Sequence, residues 1–144
     1  MNHVRESPAT TIRSLLQTAA AVQAHLEARL SPIGLSMPKL AALMALRDAG
    51  ESLPLSHLAD RLSCVKSNIT QLVDRLETDG FVRREADPND RRSRVAVLTT
   101  AGRVACDLGS RTRAEAERDL MAGFSAEEAE RFTAALEAVA LRAG

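Results

Sequence analysis

The chain is nearly without aromatic side chains: three Phe, no Tyr and no Trp make up 2% of its 144 residues. Its core is therefore mainly Leu, Ala, Val and Ile, a composition that suits packed helices better than a β-sandwich. Two cysteines, Cys64 and Cys106, are too few for a disulfide scaffold or a structural zinc site, and point to a reducing cytoplasm. No apolar run reaches the length of a membrane span, and none of signal-peptide length follows a basic start. The three histidines, His3, His25 and His57, stand far apart. They have no metal-ligand spacing and no visible nucleophile to serve, and a glycine-rich phosphate loop is missing. Neither an enzyme nor a metal or cofactor protein is expected.

A bias of charge is also missing, since 19 basic side chains meet 19 acidic ones. The local distribution is uneven. Residues 61–94 carry eight basic and six acidic side chains, whereas 101–144 carry six and eight. The basic excess is small, and its position matters more than its size. The length fits one compact domain, or a small domain with helical extensions.

Apolar periodicity predicts a helix over 9–30, with Ile12, Leu15, Leu16, Ala19, Ala20, Leu26 and Leu30 on one face. Ser31-Pro32 and Gly34 end it. Ser36 caps a second helix with Pro38 in its first turn, Leu40, Leu43, Met44 and Leu46 inward, and Gly50 as the stop. Pro54 opens a short third helix with Leu55, Leu58, Ala59 and Leu62 on one side. After the break at Ser63-Cys64-Val65, a fourth helix runs from Lys66 to Asp79, with Ile69, Leu72, Val73 and Leu76 inward. The period then becomes extended. Phe81–Glu85 and Arg94–Leu98 read as two strands around the turn signal Asp87-Pro88-Asn89-Asp90. This hairpin has a long, arginine-rich tip. From Thr99 or Thr100 a helix extends to about Met121, with Gly109 as a weak point and a place to bend. Ser125 and Glu128 form a capping box for a last helix through about Leu141.

A short helix, a tight turn and a second amphipathic helix make a helix-turn-helix, whose second helix enters the major groove of DNA. The outward face of that helix has suitable chemistry. Lys66 and Arg75 can pair with phosphate or guanine, and Gln71 can address adenine. Ser67, Asn68 and Thr70 can bond bases or phosphates. Arg91, Arg92 and Arg94 of the hairpin suit a narrow minor groove. Asp87 and Asp90 can orient those guanidinium groups through bidentate pairs, and Asp74 can do the same from the helix below. The fold expected is mainly α with a small β-hairpin wing.

The segments that carry this reading are Leu58-Ala59-Asp60-Arg61-Leu62, Ile69-Thr70-Gln71-Leu72-Val73-Asp74-Arg75-Leu76-Glu77, Gly80-Phe81-Val82, Asp87-Pro88-Asn89-Asp90-Arg91-Arg92 and Leu98-Thr99-Thr100-Ala101-Gly102-Arg103. Together they resemble the MarR family, and the flanking helices agree in order and length. The resemblance implies an N-terminal dimerisation helix (1–35), a winged helix-turn-helix DNA-binding domain (36–99) and C-terminal dimerisation helices (100–144). It implies a homodimeric repressor on a pseudo-palindromic duplex operator, relieved by a small ligand or by thiol oxidation. The family's wing-tip arginine falls on Arg92, and its partner acid on Asp74 or Asp90. Effectors of the family, often anionic aromatics, direct attention to Leu16, Ala20, His25, Arg29, Met37 and Leu40 on the first two helices. One departure is Val65, where the family often has Ser; Ser63 or Ser67 is the available substitute.

Two other readings stand beside this one. Cys64 lies near a helix N-terminus with Lys66 close by, an electropositive setting of the kind in which thiols react, so a redox-sensing regulator is one alternative. Redox-sensing relatives carry their cysteine in the first helix, where this chain has none. The other is a winged-helix module that binds protein instead of DNA.

Overall fold

The computed structural model describes residues 7–64 and 66–144, the side chain of Lys66 apart. His3, Val65 and the Lys66 side chain lie outside the described residues. Helix α1 (Pro8–Leu30) starts at Ser7, whose hydroxyl accepts a hydrogen bond from the Thr10 amide at 3.3 Å. Pro8 occupies the first helical position, where no amide hydrogen is needed. A single 3₁₀ turn, Ser31–Ile33, and left-handed Gly34 redirect the chain into α2 (Met37–Asp48). Ser36 caps α2 through the Lys39 amide, and Glu27 of α1 accepts the Met37 amide at 2.8 Å. These two bonds satisfy donors that every helix start leaves open.

Strand β1 (Ser52–Pro54) follows, then α3 (Leu55–Arg61) and α4 (Lys66–Thr78). Strands β2 (Val82–Asp87) and β3 (Asp90–Leu98) complete an antiparallel sheet of order β1-β3-β2. Helices α5 (Thr100–Met121) and α6 (Ala126–Ala143) finish the chain. Two compact units result, Met1–Arg113 and Ala114–Gly144.

The first unit holds the core. Leu40, Leu43 and Leu46 of α2, Leu58 of α3, Ile69, Val73 and Leu76 of α4, and Val82, Ala96 and Leu98 of the sheet pack with Cys106 of α5. The face expected on α1 is buried only at its end, at Leu26 and Leu30. Ile12 is exposed, and Leu16 retains 67% of its accessible surface. In the second unit Ser125 and Glu128 form the expected capping box. Phe124 and Phe132 stack with their ring centres 5.7 Å apart, yet both stay largely exposed.

Three expectations are corrected. The hairpin is longer than its two apolar stretches. Asp87 accepts the Asn89 amide, while Asp90 accepts the Arg92 amide and the Ser93 hydroxyl. These local bonds close the turn at Pro88-Asn89, where Asp87 pairs with Asp90; a register shift then leaves residues 91–93 without a β2 partner before Arg94 meets Ala86. A third strand, β1, is present. Its three residues are too short to show alternation, and Pro54 fits an edge that needs no donor. Gly109 does not interrupt α5. A Cβ there would lie 2.6 Å from a Leu35 methyl and 2.9 Å from a Leu40 methyl, so the glycine allows close packing within one unbroken helix.

Candidate nucleic-acid interface

The amphipathic pattern of α4 divides it cleanly. Ile69, Val73 and Leu76 are buried, whereas Ser67, Asn68, Thr70, Gln71, Asp74 and Arg75 are exposed. α3 braces it through buried Leu58 and Ala59 and leaves His57 exposed. The turn between them places Ser63 at φ 53° and bonds the Cys64 amide to the Ala59 carbonyl at 2.9 Å. At its far end α4 is held to α2 by Lys39, which donates to Asp79 at 2.8 Å.

The arginines expected at the hairpin tip are strand residues. Side chains alternate along β3. Arg94 therefore shares a side with buried Ala96 and Leu98, whereas Arg91 and Arg92 stand exposed in the irregular stretch between the paired Arg94 and Asp90. A cleft of about 180 Å³ between β3, α4 and the start of α3 is lined by Pro54, Leu55, Ser56, Ile69, Thr70, Ser93 and Arg94. Arg94 of the wing and Thr70 of the helix both line it.

The three acids expected to orient the wing arginines are engaged elsewhere. Asp87 and Asp90 bond the backbone and hydroxyl of their own turn. Asp74 pairs through its Oδ1 with the Nη2 of Arg84, a β2 residue that the sequence reading passed over. Glu77, one turn further along α4, accepts the Arg84 amide at 3.0 Å and lies 3.9 Å from its Nε. That Nε is buried and makes no hydrogen bond, so Glu77 holds the guanidinium by charge alone. The signal available in the sequence was two acids at positions i and i+3 of an exposed helix face, followed by an arginine pair in the next strand.

The six residues considered for an effector differ in setting. Leu40 is fully buried in the core, while Leu16 and Ala20 face outward on α1. Met37 packs at the edge of the core. His25 and Arg29 are half-buried, and the His25 Nε2 is buried without a hydrogen-bond partner. No group of three His, Cys, Asp or Glu among the described residues could hold a metal ion. No helix among them is long and apolar enough to cross a membrane.

The cysteines differ in setting. Cys64 is half-buried, and its thiol donates to the Leu62 carbonyl at 3.6 Å. Cys106 is fully buried, and burial pushes its thiol pKa up, with Arg47 and a hydrogen bond to Ser110 opposing in part. A buried protonated thiol is a poor nucleophile. A thiol-exchange reagent is therefore expected to count one reactive cysteine in the native protein and two in denaturant. Two fast thiols in the native state would contradict the packing around Cys106.

A helix-turn-helix with a hairpin wing defines a transcription regulator of the winged-helix class. Comparison with known proteins narrows this. The MarR family matches residues 35–93. The HTH-type transcriptional regulator YcgE of Bacillus subtilis is 35% identical over 118 residues, which cover 82% of this chain and 71% of that protein. A second B. subtilis regulator, YfiV, is 43% identical over 67 residues; the match takes in 46% of this chain but only 41% of the relative. The crystal structure of a mutant MarR from Escherichia coli complexed with operator DNA shares the fold. It superposes with a TM-score of 0.77 at 24% identity, over 93% of this chain and 99% of that one. The chain belongs to the MarR family of winged-helix transcription regulators.

Proposed function

We propose that the protein is a homodimeric, sequence-specific repressor that binds a pseudo-palindromic duplex operator in the cytoplasm and has no enzymatic role. The observation that carries this reading is the cleft that both Arg94 of the wing and Thr70 of α4 line. It gives one surface a polar helix face for base edges and arginines for the adjoining backbone or minor groove. In this reading Ser67, Asn68, Thr70, Gln71 and Arg75, with Lys66, contact the major groove, and Arg91, Arg92 and Arg94 extend the contact. The solved complex of the E. coli relative with operator DNA supports the assignment.

Dimerisation is supported by apolar surface that the single chain leaves in water. Ile12 and Leu16 stand exposed on α1, and Leu120, Phe124, Phe132, Leu136 and Leu141 on the second unit. Large apolar side chains left in water are what association surfaces cover. The division of labour follows, with 1–35 and 100–144 joining the copies and 36–99 reading DNA. Release by a small ligand completes the proposal. His25 offers it a buried ring nitrogen in search of a partner, beside Arg29 on the same helix.

Selection of bound sequences from random duplex DNA tests the whole reading. The expected result is a two-fold-related pair of half-sites centred about one helical turn apart. Recovery of no preferred duplex at low salt, with a partner protein captured instead, would favour an interaction module without DNA binding. Within the recovered site, Gln71→Ala is expected to relax base choice at one position per half-site while leaving the salt dependence alone. Competition binding against single-base variants of the site measures this.

A further inference from the structure

We propose that Arg84 is the positioning residue of the interface: it clamps the wing onto the recognition helix and so sets the spacing between the wing arginines and the base-reading face. The inference deepens the DNA-binding reading above and rests on it. Three contacts carry it. The guanidinium reaches Asp74 with Nη2 and Glu77 with Nε, and the main-chain amide of the same residue donates to Glu77. One strand residue thus engages two acids a helical turn apart. The arginine is the sheltered member, at 24% side-chain exposure against 56% for Asp74 and 47% for Glu77.

The extended, delocalised guanidinium suits this geometry, pairing with Asp74 through Nη2 while its Nε edge lies near Glu77 without a hydrogen bond. A lysine ammonium is a single point of charge and can serve only one of the two acids at a time. The clamp also has an electrostatic consequence. Asp74 and Glu77 lie on the exposed side of α4, where bare carboxylates would repel the phosphate backbone. Arg84 offsets one of these two negative charges from the wing side, chiefly that of Asp74, and leaves the outward face to Gln71 and Arg75. Arg84 is spent on those acids, so it is not itself a phosphate contact.

The test uses Arg84→Lys and Asp74→Asn in the full chain, with the duplex obtained by selection and thermal unfolding as the check of folding. Each variant is expected to bind that duplex about tenfold more weakly, with an unchanged salt slope. A second measurement separates positioning from general weakening. In the Arg84→Lys background, Arg92→Ala should cost much less than it does in the wild type, because the misplaced wing has already forfeited its contacts. Multiplicative costs overturn the proposal, as does wild-type affinity in Arg84→Lys or a shallower salt slope in Arg84→Gln. A DNA-free measurement decides the clamp even if the wild type binds no duplex, the outcome that sinks the DNA reading alone. Amide hydrogen exchange in β2 and β3 should be about tenfold faster in Arg84→Lys, and equal rates would refute the clamp.

Discussion

Alanine at Gly102 is expected to destabilise the protein by about 2 kcal/mol and to lower its unfolding midpoint by roughly 6 °C. Helix propensity argues the other way, since alanine in a helix interior is favoured over glycine by about 1 kcal/mol. Packing wins because of what the new methyl would meet. A Cβ on Gly102 would lie 2.0 Å from the Phe81 carbonyl oxygen and 2.9 Å from its carbon. Those are backbone atoms and cannot rotate away. Phe81 is also fixed by other bonds, because its carbonyl accepts the Thr99 amide at 3.0 Å. The Thr99 hydroxyl donates to the Gly80 carbonyl at 2.7 Å and accepts the Gly102 amide at 3.0 Å. The first turn of α5 is thus bolted to the entry of the hairpin, and overpacking there costs about 3 kcal/mol. Two comparison variants sharpen the measurement. At Gly109 the obstacles are ends of leucine side chains, which can shift, so alanine there should cost less. At Gly123 nothing lies within 4 Å, so alanine should be neutral or mildly stabilising. A Gly102→Ala midpoint at or above that of the wild type would show that the two backbones separate freely.

The contrast between what the sequence disclosed and what it concealed follows the range of the forces involved. The faces of α2 and α4 were legible because a buried stripe repeats every three to four residues. Leu40, Leu43, Leu46, Ile69, Val73 and Leu76 are buried as expected. The caps at Ser36 and Ser125 were legible because the bonds that make them span three residues. Strand β1 was not, since its only pairing is with residues more than forty positions later. The apolar face of α1 was legible as apolar, but how much of it the chain itself covers was not, and only Leu26 and Leu30 are buried. Periodicity reports that a face seeks cover and is silent on which molecule supplies it.

The interface shows the same division. The polar face of α4 followed from spacing alone. The roles of the acids did not, because a carboxylate in sequence gives no hint of which cation reaches it. Asp74 finds Arg84 ten positions on, across the step from helix to strand. Asp87 and Asp90 find amides two residues away and become part of the turn. The competing demand was local: an Asx side chain satisfies its own turn before it can orient a distant guanidinium.

Raising salt from about 50 to 200 mM is expected to weaken operator binding by roughly a thousandfold or more, the response of a protein that neutralises about six to ten phosphates. The candidate cations are Lys66, Arg75, Arg91, Arg92 and Arg94, present twice in the proposed dimer. The chain as a whole is neutral, so this response cannot come from a general basic field and has to come from where these side chains sit. Asp74 cancels none of them, because Arg84 already pairs with it. Arg92 gives the sharpest test. It is exposed on β3, and no acid among the described residues pairs with it. Its removal deletes a wing contact without freeing a buried charge. Arg92→Ala should lower affinity at fixed salt by about tenfold or more and reduce the slope of log affinity against log salt by roughly two, one phosphate per subunit. Thermal unfolding should stay within about 0.5 kcal/mol of wild type, as for other exposed positions. An unchanged slope with reduced affinity would move Arg92 off the backbone and onto a base edge, leaving Arg91 and Arg94 as the phosphate anchors of the wing. An unchanged affinity would remove Arg92 from the interface and confine DNA recognition to α4.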